Sequence, residues 1–159
     1  MKILLCIGKL NSGGAEKNIS ILANLLCEKK HNVTILTFDT NNNKPFFFLN
    51  KKIKLINLGL LKKNNNKLQS LYNFIHRIVV IRRLLIRGKF NCFISFINTM
   101  NITMLIGSIF LNLTKIISDR NNPFYSRNTL LIKIMKILFY RYANKLVLQT
   151  SKVKEYYWF

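Results

Sequence analysis

Six short apolar runs, Ile3–Ile7, Asn32–Phe38, Ile53–Leu58, Asn91–Phe96, Thr114–Asp119 and Lys145–Gln149, alternate with longer stretches of helical period. Parallel strands must be joined by crossovers of a dozen residues or more, so this alternation predicts βαβ units around a parallel sheet. The intervening helices are expected over Ala15–Lys29, Lys67–Arg87, Met100–Leu111 and Asn128–Ala143, with a last one beginning at Lys152 behind a Ser151 cap. Neither an internal repeat nor a Pro- or Gly-rich linker divides the chain, so residues 1–159 are expected to form one doubly wound, Rossmann-like α/β domain. In such a sheet, ligands lie outside the carboxyl ends of the strands.

The loops at those ends carry the polar residues. Behind Ile3–Ile7 comes "KLNSGGAEKN", Lys9 to Asn18, in which a strand breaks into a glycine turn and restarts as a helix. Glycines there let the backbone approach a ligand closely, and the helix start behind them offers free N–H groups to an anion. Two familiar versions of this device do not fit. A dinucleotide site wants Gly-x-Gly-x-x-Gly, whereas Gly8 is followed by four residues and then the pair Gly13-Gly14, although Asp39 would suit a ribose. A phosphate-binding P-loop wants Gly-Lys-Ser/Thr after its second glycine, and Ala15 and Glu16 stand there instead. Ser95–Asn101 and Asp119–Asn122 form the other two polar loops, and the topology brings all three to one crevice.

Charge narrows the class of partner. Lys and Arg number 26 against 5 Asp and Glu, a formal net charge of +21, which favours nucleic acid, an anionic membrane surface or phosphorylated substrates. Part of the excess is a general Lys and Asn bias, visible in "LKKNNNK", Leu61–Lys67. A single-strand nucleic-acid platform would interleave aromatics with surface Arg and Lys; here Phe46, Phe47 and Phe48 cluster in one loop and most other aromatics fall in helical or strand patterns. Cys6, Cys27 and Cys92 lack metal or disulfide spacing and read as free thiols, and His31 and His76 are too isolated for a metal site. The N-terminus has no signal-peptide pattern, and the longest apolar stretch, Ile102–Leu113, is shorter than a bilayer crossing requires. A cytoplasmic protein is expected, any membrane contact being peripheral.

"SGGAEKNISILANLL", Ser12–Leu26, followed by "HNVTILTFD", resembles the start of the family 4 glycosyltransferases, with their Gly-Gly-Ala-Glu-Arg turn-helix and His-x-Val strand. "FISFINTMNI", "IISDRNNP" and "LVLQTSKVKEYY" resemble further segments of the same family, in order and at similar spacing. The resemblance implies the N-terminal, acceptor-side half of a GT-B fold, with the C-terminal nucleotide-sugar domain absent. It fits best to enzymes that extend polyprenyl diphosphate-linked glycans at the inner face of the cell membrane. They transfer a hexose or N-acetylhexosamine from a nucleotide-sugar with retention, without metal or other cofactor. On its own the chain is then expected to be a truncated product, or to need a separate C-terminal half. A non-catalytic basic module binding nucleic acid or anionic membrane is the alternative, and no nucleic-acid partner is expected.

Carried over residue by residue, the resemblance places Gly13 and Gly14 beside donor phosphate and acceptor, with Glu16 as the turn's acidic residue. Lys17 stands where Arg is usual, keeping charge but losing bidentate geometry. Asp119, Arg120 and Asn121 match the loop in which some members have His in place of Arg; an arginine cannot be a general base, so its expected part is to bind phosphate or an acceptor hydroxyl. Ser95, Asn98 and Asn101 are acceptor-side candidates. On the Lys67–Arg87 helix a polar stripe of Gln69, Asn73, His76, Arg83 and Arg87 is expected to face outward, with Leu71, Phe74, Ile75, Ile78, Leu85 and Ile86 inward. His76, Arg83 and Arg87 are its candidates for anionic headgroups or lipid diphosphate, and Lys133, Lys136 and Arg141 for a second membrane-facing surface.

Overall fold

The computed structural model describes residues 1–40, 44–61, 66–120, 130–150 and 153. Its elements run β1 (Lys2–Ile7), α1 (Gly14–Glu28), β2 (Asn32–Thr37), β3 (Lys54–Asn57), α2 (Lys67–Gly88), β4 (Cys92–Phe96), α3 (Asn98–Gly107), β5 (Thr114–Asp119), α4 (Leu130–Phe139), a 3-10 turn (Tyr140–Tyr142) and β6 (Lys145–Leu148). The strands make a six-stranded parallel sheet in the order β3-β2-β1-β4-β5-β6. The chain winds outward from β1 through β3, then returns to β1's other edge with β4, where Leu5 faces Ile35 on one side and Ile94 on the other. That reversal opens the crevice predicted for this fold between the ends of β1 and β4. The helix expected from Lys152 lies outside the described residues.

Alternating strand residues feed two cores. Ile3, Leu5, Ile7, Val33 and Ile35 meet α1, whose Ile19 and Ala23 are buried and whose Leu22 and Leu26 pack beside them, the face its periodicity predicts. Leu4, Cys6, Leu36, Phe93 and Ile117 meet the other layer, to which α2, α3 and α4 contribute Ile81, Leu85, Met100, Met104 and Leu105, with Ile132 and Met135 packed against them. α3 is the innermost helix, beginning two residues earlier and ending earlier than its apolar run suggests. At its end Gly107 lets α2 approach: a Cβ there would stand 2.8 Å from Ile81 Cγ2. Arg82 of α2 donates to the carbonyl of Ile109 at 2.8 Å, just past the end of α3, where carbonyls lack helical partners.

The rotation of α2 corrects one expectation. Asn73 is buried, while Leu71, Ile75 and Ile86, expected inward, are each more than half exposed, with Leu68 and Tyr72 beside them. Apolar residues run most of the way around this helix, so periodicity alone leaves its rotation open. Two arginines set it. Arg77 donates through Nε and Nη2 to Leu60 O at 3.1 and 2.9 Å, stacking on Phe38, and Arg82 reaches the end of α3. His76, Arg83 and Arg87 do face solvent, but among apolar neighbours. In α4 the expectation is inverted further: Lys136 is buried, and Leu130, Leu131, Ile134, Ile137 and Leu138 are exposed.

Gly107→Ala is expected to lower unfolding free energy by about 1–3 kcal/mol through overpacking against Ile81, read as a fall in urea midpoint at constant slope. The thiols give a second check. Cys6, Cys27 and Cys92 are free, and burial, then the neighbouring Cys92, pushes the Cys6 thiol well above its usual range, while burial raises Cys92. Above about pH 8.5 the unfolded chain loses thiol protons that the folded chain keeps, so this contribution is whole below that pH and is lost as pH rises. The decline of the urea midpoint with alkaline pH should therefore be shallower in Cys6→Ala than in the parent, and native alkylation should reach Cys27 before Cys6.

Candidate functional site

The glycine turn forms one wall of the crevice. Gly13 caps α1 with extended backbone, φ −80° and ψ 165°, without a side-chain cap, and Lys17 N–H donates to Gly13 O at 2.9 Å. A Cβ on Gly13 would collide with the Glu16 carboxylate folded back against it, whereas a Cβ on Gly14 would meet nothing within 4 Å. The first glycine thus makes room for a side chain of its own helix, and the second leaves open space for something else. Lys17 projects from the exposed side. A carboxylate in the first helical turn complements the dipole and satisfies part of the field an anion would otherwise use.

The opposite wall is built of buried polar groups. Lys136 Nζ lies 2.6 Å from Asp119 Oδ2, with side-chain exposures of 5% and 0%. Tyr140, one helical turn beyond Lys136, has its hydroxyl 3.2 Å from the same Asp119 oxygen and 3.3 Å from Asn98 Oδ1. It carries one proton for two acceptors, and the ionised carboxylate is the stronger of them. Asn101 Nδ2 donates to Ser118 O at 3.1 Å and approaches the Tyr140 hydroxyl at 3.4 Å, while Ser95 Oγ donates to Asn101 Oδ1 at 2.7 Å. Ser95, Asn98, Asn101 and Asp119 are therefore brought together, but as an interior network joining β4, α3, β5 and α4.

Two features mark the lip above this network. Ile97, between β4 and α3, has φ 73° and ψ 139°, a conformation that β-branched residues avoid. Arg120 follows β5 with its guanidinium carbon 5.3 Å from the Phe96 ring centroid, and its buried Nε–H has no hydrogen-bond partner among the described residues. An unmatched buried donor costs about 1–3 kcal/mol, a cost that an incoming acceptor atom would remove. Asn121 lies outside the described residues. Beyond β2, Leu10, Asn11, Thr37, Asp39, Lys44 and Asn57 enclose only about 10 Å³, room for a water and not a ribose, and Asp39 accepts from Thr40 N–H at 2.9 Å.

The helical candidates stand apart from the crevice. α2 runs back against the strands: Arg77 holds the loop after β3, while Gly88 leads into the start of β4. Arg83 and Arg87 therefore lie by the beginnings of the strands, about 17 Å from the crevice by the rise along β1. His76 is exposed further up the helix, stacked on Tyr72 with centroids 6.1 Å apart. Lys136, expected on a membrane-facing surface, is instead an interior cation paired with Asp119, and Tyr140 is a site residue that the sequence reading misses. Their spacing of four puts them on one helix face, but the pairing with Asp119, 17 residues away from Lys136, exists only in three dimensions. Among the described residues no three His, Cys, Asp or Glu side chains gather, and no helix is long and apolar enough to cross a membrane.

No family model matches the chain. Over 159 residues it is 31% identical to a Campylobacter jejuni protein, GalNAc-alpha-(1->4)-GalNAc-alpha-(1->3)-diNAcBac-PP-undecaprenol alpha-1,4-N-acetyl-D-galactosaminyltransferase, which covers 99% of this chain and 42% of that protein. Among solved structures, the sucrose-phosphate synthase of Thermosynechococcus elongatus superposes with a TM-score of 0.78 at 10% identity, over 98% of this chain and 44% of that one. MurG of Acinetobacter baumannii does so with a TM-score of 0.64 at 13% identity, over 96% and 42%. UDP-N-acetylglucosamine 2-epimerases share the fold as well. The chain thus has the Rossmann-like α/β fold of half of a glycosyltransferase of the GT-B kind, and spans about two fifths of the length of the relative it matches.

Lys136→Met is expected to cost about 3–5 kcal/mol by stranding a buried carboxylate, and adding Asp119→Asn should restore part of that. A double-mutant cycle in urea checks this; additive effects would mean that the pair contributes no coupling.

Proposed function

We propose that this chain is the acceptor-side half of a glycosyltransferase that moves a hexose or N-acetylhexosamine from a nucleotide-sugar to a polyprenyl diphosphate-linked or other glycan acceptor. The carrying observation is the 31% identity to a transferase acting on a polyprenol-linked glycan, sustained over 99% of the chain. The crevice supports the reading. Gly14 leaves the backbone approachable at α1's start, Glu16 favours hydroxyl groups over a second anion there, and Arg120 offers an unsatisfied donor at the facing lip. In this scheme Ser95, Asn98, Asn101 and Asp119 hold that lip in place and Gly13 gives room to Glu16, while Gly14, Lys17, Arg120 and Asn121 are the groups that meet substrate. The nucleotide-sugar is bound chiefly by a second Rossmann-like half, either further along a longer protein or in a separate chain. Transfer proceeds with retention and needs no metal or other cofactor. The protein works peripherally at the cytoplasmic face of the membrane, where such acceptors reside, and the basic, apolar outer face of α2 supports that placement.

The test is sugar transfer to a polyprenyl diphosphate-linked acceptor, with this chain alone and with the C-terminal half of the Campylobacter relative fused behind it. No transfer is expected alone, transfer is expected when fused, and Arg120→Ala should lower kcat/KM of the fusion by about tenfold to a hundredfold, as for loss of one charged donor. A correctly folded fusion without transfer under any donor would sink the proposal.

A further inference from the structure

The aromatic run Phe46-Phe47-Phe48 lies on a segment tied down at both ends. Phe46 N–H donates to Leu10 O at 2.9 Å, just before the glycine turn. Asn24 of α1 donates through Nδ2 to Phe48 O at 2.9 Å and accepts from Asn50 N–H at 2.9 Å, while Leu49 and Ile53 pack into the core on the α1 side. Phe47 is half-buried and meets the Phe46 ring edge to face, with centroids 5.0 Å apart. Phe46 itself is 67% exposed. A large apolar ring held in water on an ordered backbone forgoes hydrophobic stabilisation, and needs no further ordering when a flat apolar partner settles on it.

The polar groups beside that ring narrow the partner. Asn11, Thr37, Asp39, Lys44 and Asn57 converge with Leu10 at the carboxyl ends of β1, β2 and β3. Two of these belong to the aromatic segment's own anchorage: Leu10, which holds Phe46, and Lys44, two residues before it. The dimple they enclose is too shallow for a ring to enter, so a ligand must lie across it. Asn11 and Lys44 are exposed there, and Thr37 Oγ donates to Asn57 Oδ1 at 2.7 Å, which leaves the Asn57 amide nitrogen to donate. Amides, a carboxylate and an ammonium supply both donors and acceptors, as neighbouring hydroxyl groups require, whereas a phosphodiester strand would meet the Asp39 carboxylate as a like charge. A pyranose ring matches both parts of this surface, with a face of C–H groups for Phe46 and a rim of hydroxyls for the dimple. The Leu10 tether puts Phe46 on the β2 side of the glycine turn, one to two strand spacings, about 5–10 Å, from the parting of β1 and β4. That is the reach of a neighbouring sugar and not of the reacting one. We infer that Phe46, with Asn11 and Lys44, is a subsite for a non-reacting sugar ring of the glycan acceptor, and that it selects acceptors of two or more sugars. The subsite presupposes the acceptor-side reading of the crevice.

Two measurements test it. In the fusion with the C-terminal half, Phe46→Ala should raise KM for polyprenyl diphosphate acceptors carrying two or three sugars by about threefold to tenfold at unchanged kcat, lowering their kcat/KM preference over a one-sugar acceptor by the same factor. Phe46→Trp should keep the parent KM. Phe48→Ala removes a ring that is 79% exposed but anchored at Asn24, about 15 Å along α1 from Gly14, and should change nothing. A Phe46→Ala effect that is absent, equal for all acceptor lengths, or matched by Phe48→Ala would overturn the subsite and leave the transferase reading intact. The second measurement uses the chain by itself. Methyl glycosides of hexose and N-acetylhexosamine disaccharides should shift the amide resonances of Asn11, Lys44 and Phe46 in the parent and not in Phe46→Ala, even where the fusion transfers nothing. No shift with any of them, or larger shifts with a single-stranded oligonucleotide at equal concentration, would exclude a sugar subsite.

Discussion

The hydrogen bonding of β1 on both edges is the constraint from which the rest follows. With β2 on one side and β4 on the other, all in parallel, the chain must leave β1, build outward, and cross back before building the other way. The crossover back is the longest helix, and the point of reversal is where the ends of β1 and β4 part. The glycine turn and the loop before α3 owe their opposition to this topology. No single motif creates the crevice; a sheet wound in a different order would carry the same residues to unrelated surfaces.

Much of this was legible in the sequence because βαβ units are local statements. The β5 boundaries coincide with the expected Thr114–Asp119, and α1 buries the expected Ile19 and Ala23. What escaped depends on contacts distant in sequence. The outward turn of Leu71, Ile75 and Ile86 follows from Arg77 reaching Leu60 O and Arg82 reaching Ile109 O, bonds to loops that a helical wheel does not contain. Lys136 reads as surface by residue type, and is buried because Asp119 waits at the end of β5. In the crevice, residue identity located the loops correctly but could not separate groups satisfied by one another, such as Ser95 with Asn101, from a donor left over, such as Arg120 Nε.

Few acids are available to a chain of this charge, and their placement is economical. Of the 5 in the sequence, Asp119 is enclosed with Lys136 and Glu16 is folded onto the glycine turn. Both stand at the carboxyl end of the sheet, where they temper the positive field around the crevice. The amino end, where Lys2, Lys54, Arg83 and Arg87 converge, has no acid in its cleft. That cleft is thereby a local concentration of positive charge, to which an anionic group would be drawn.

Ile97 carries a mechanical consequence. A glycine would hold φ 73° without strain, whereas isoleucine does so at about 1–3 kcal/mol, balanced by the packing of β4 and α3 around it. That energy sits in the hinge between a central strand and the innermost helix. Any movement that returned Ile97 to ordinary backbone would release it, so a rearrangement of this lip would recover part of its cost from strain already held between β4 and α3.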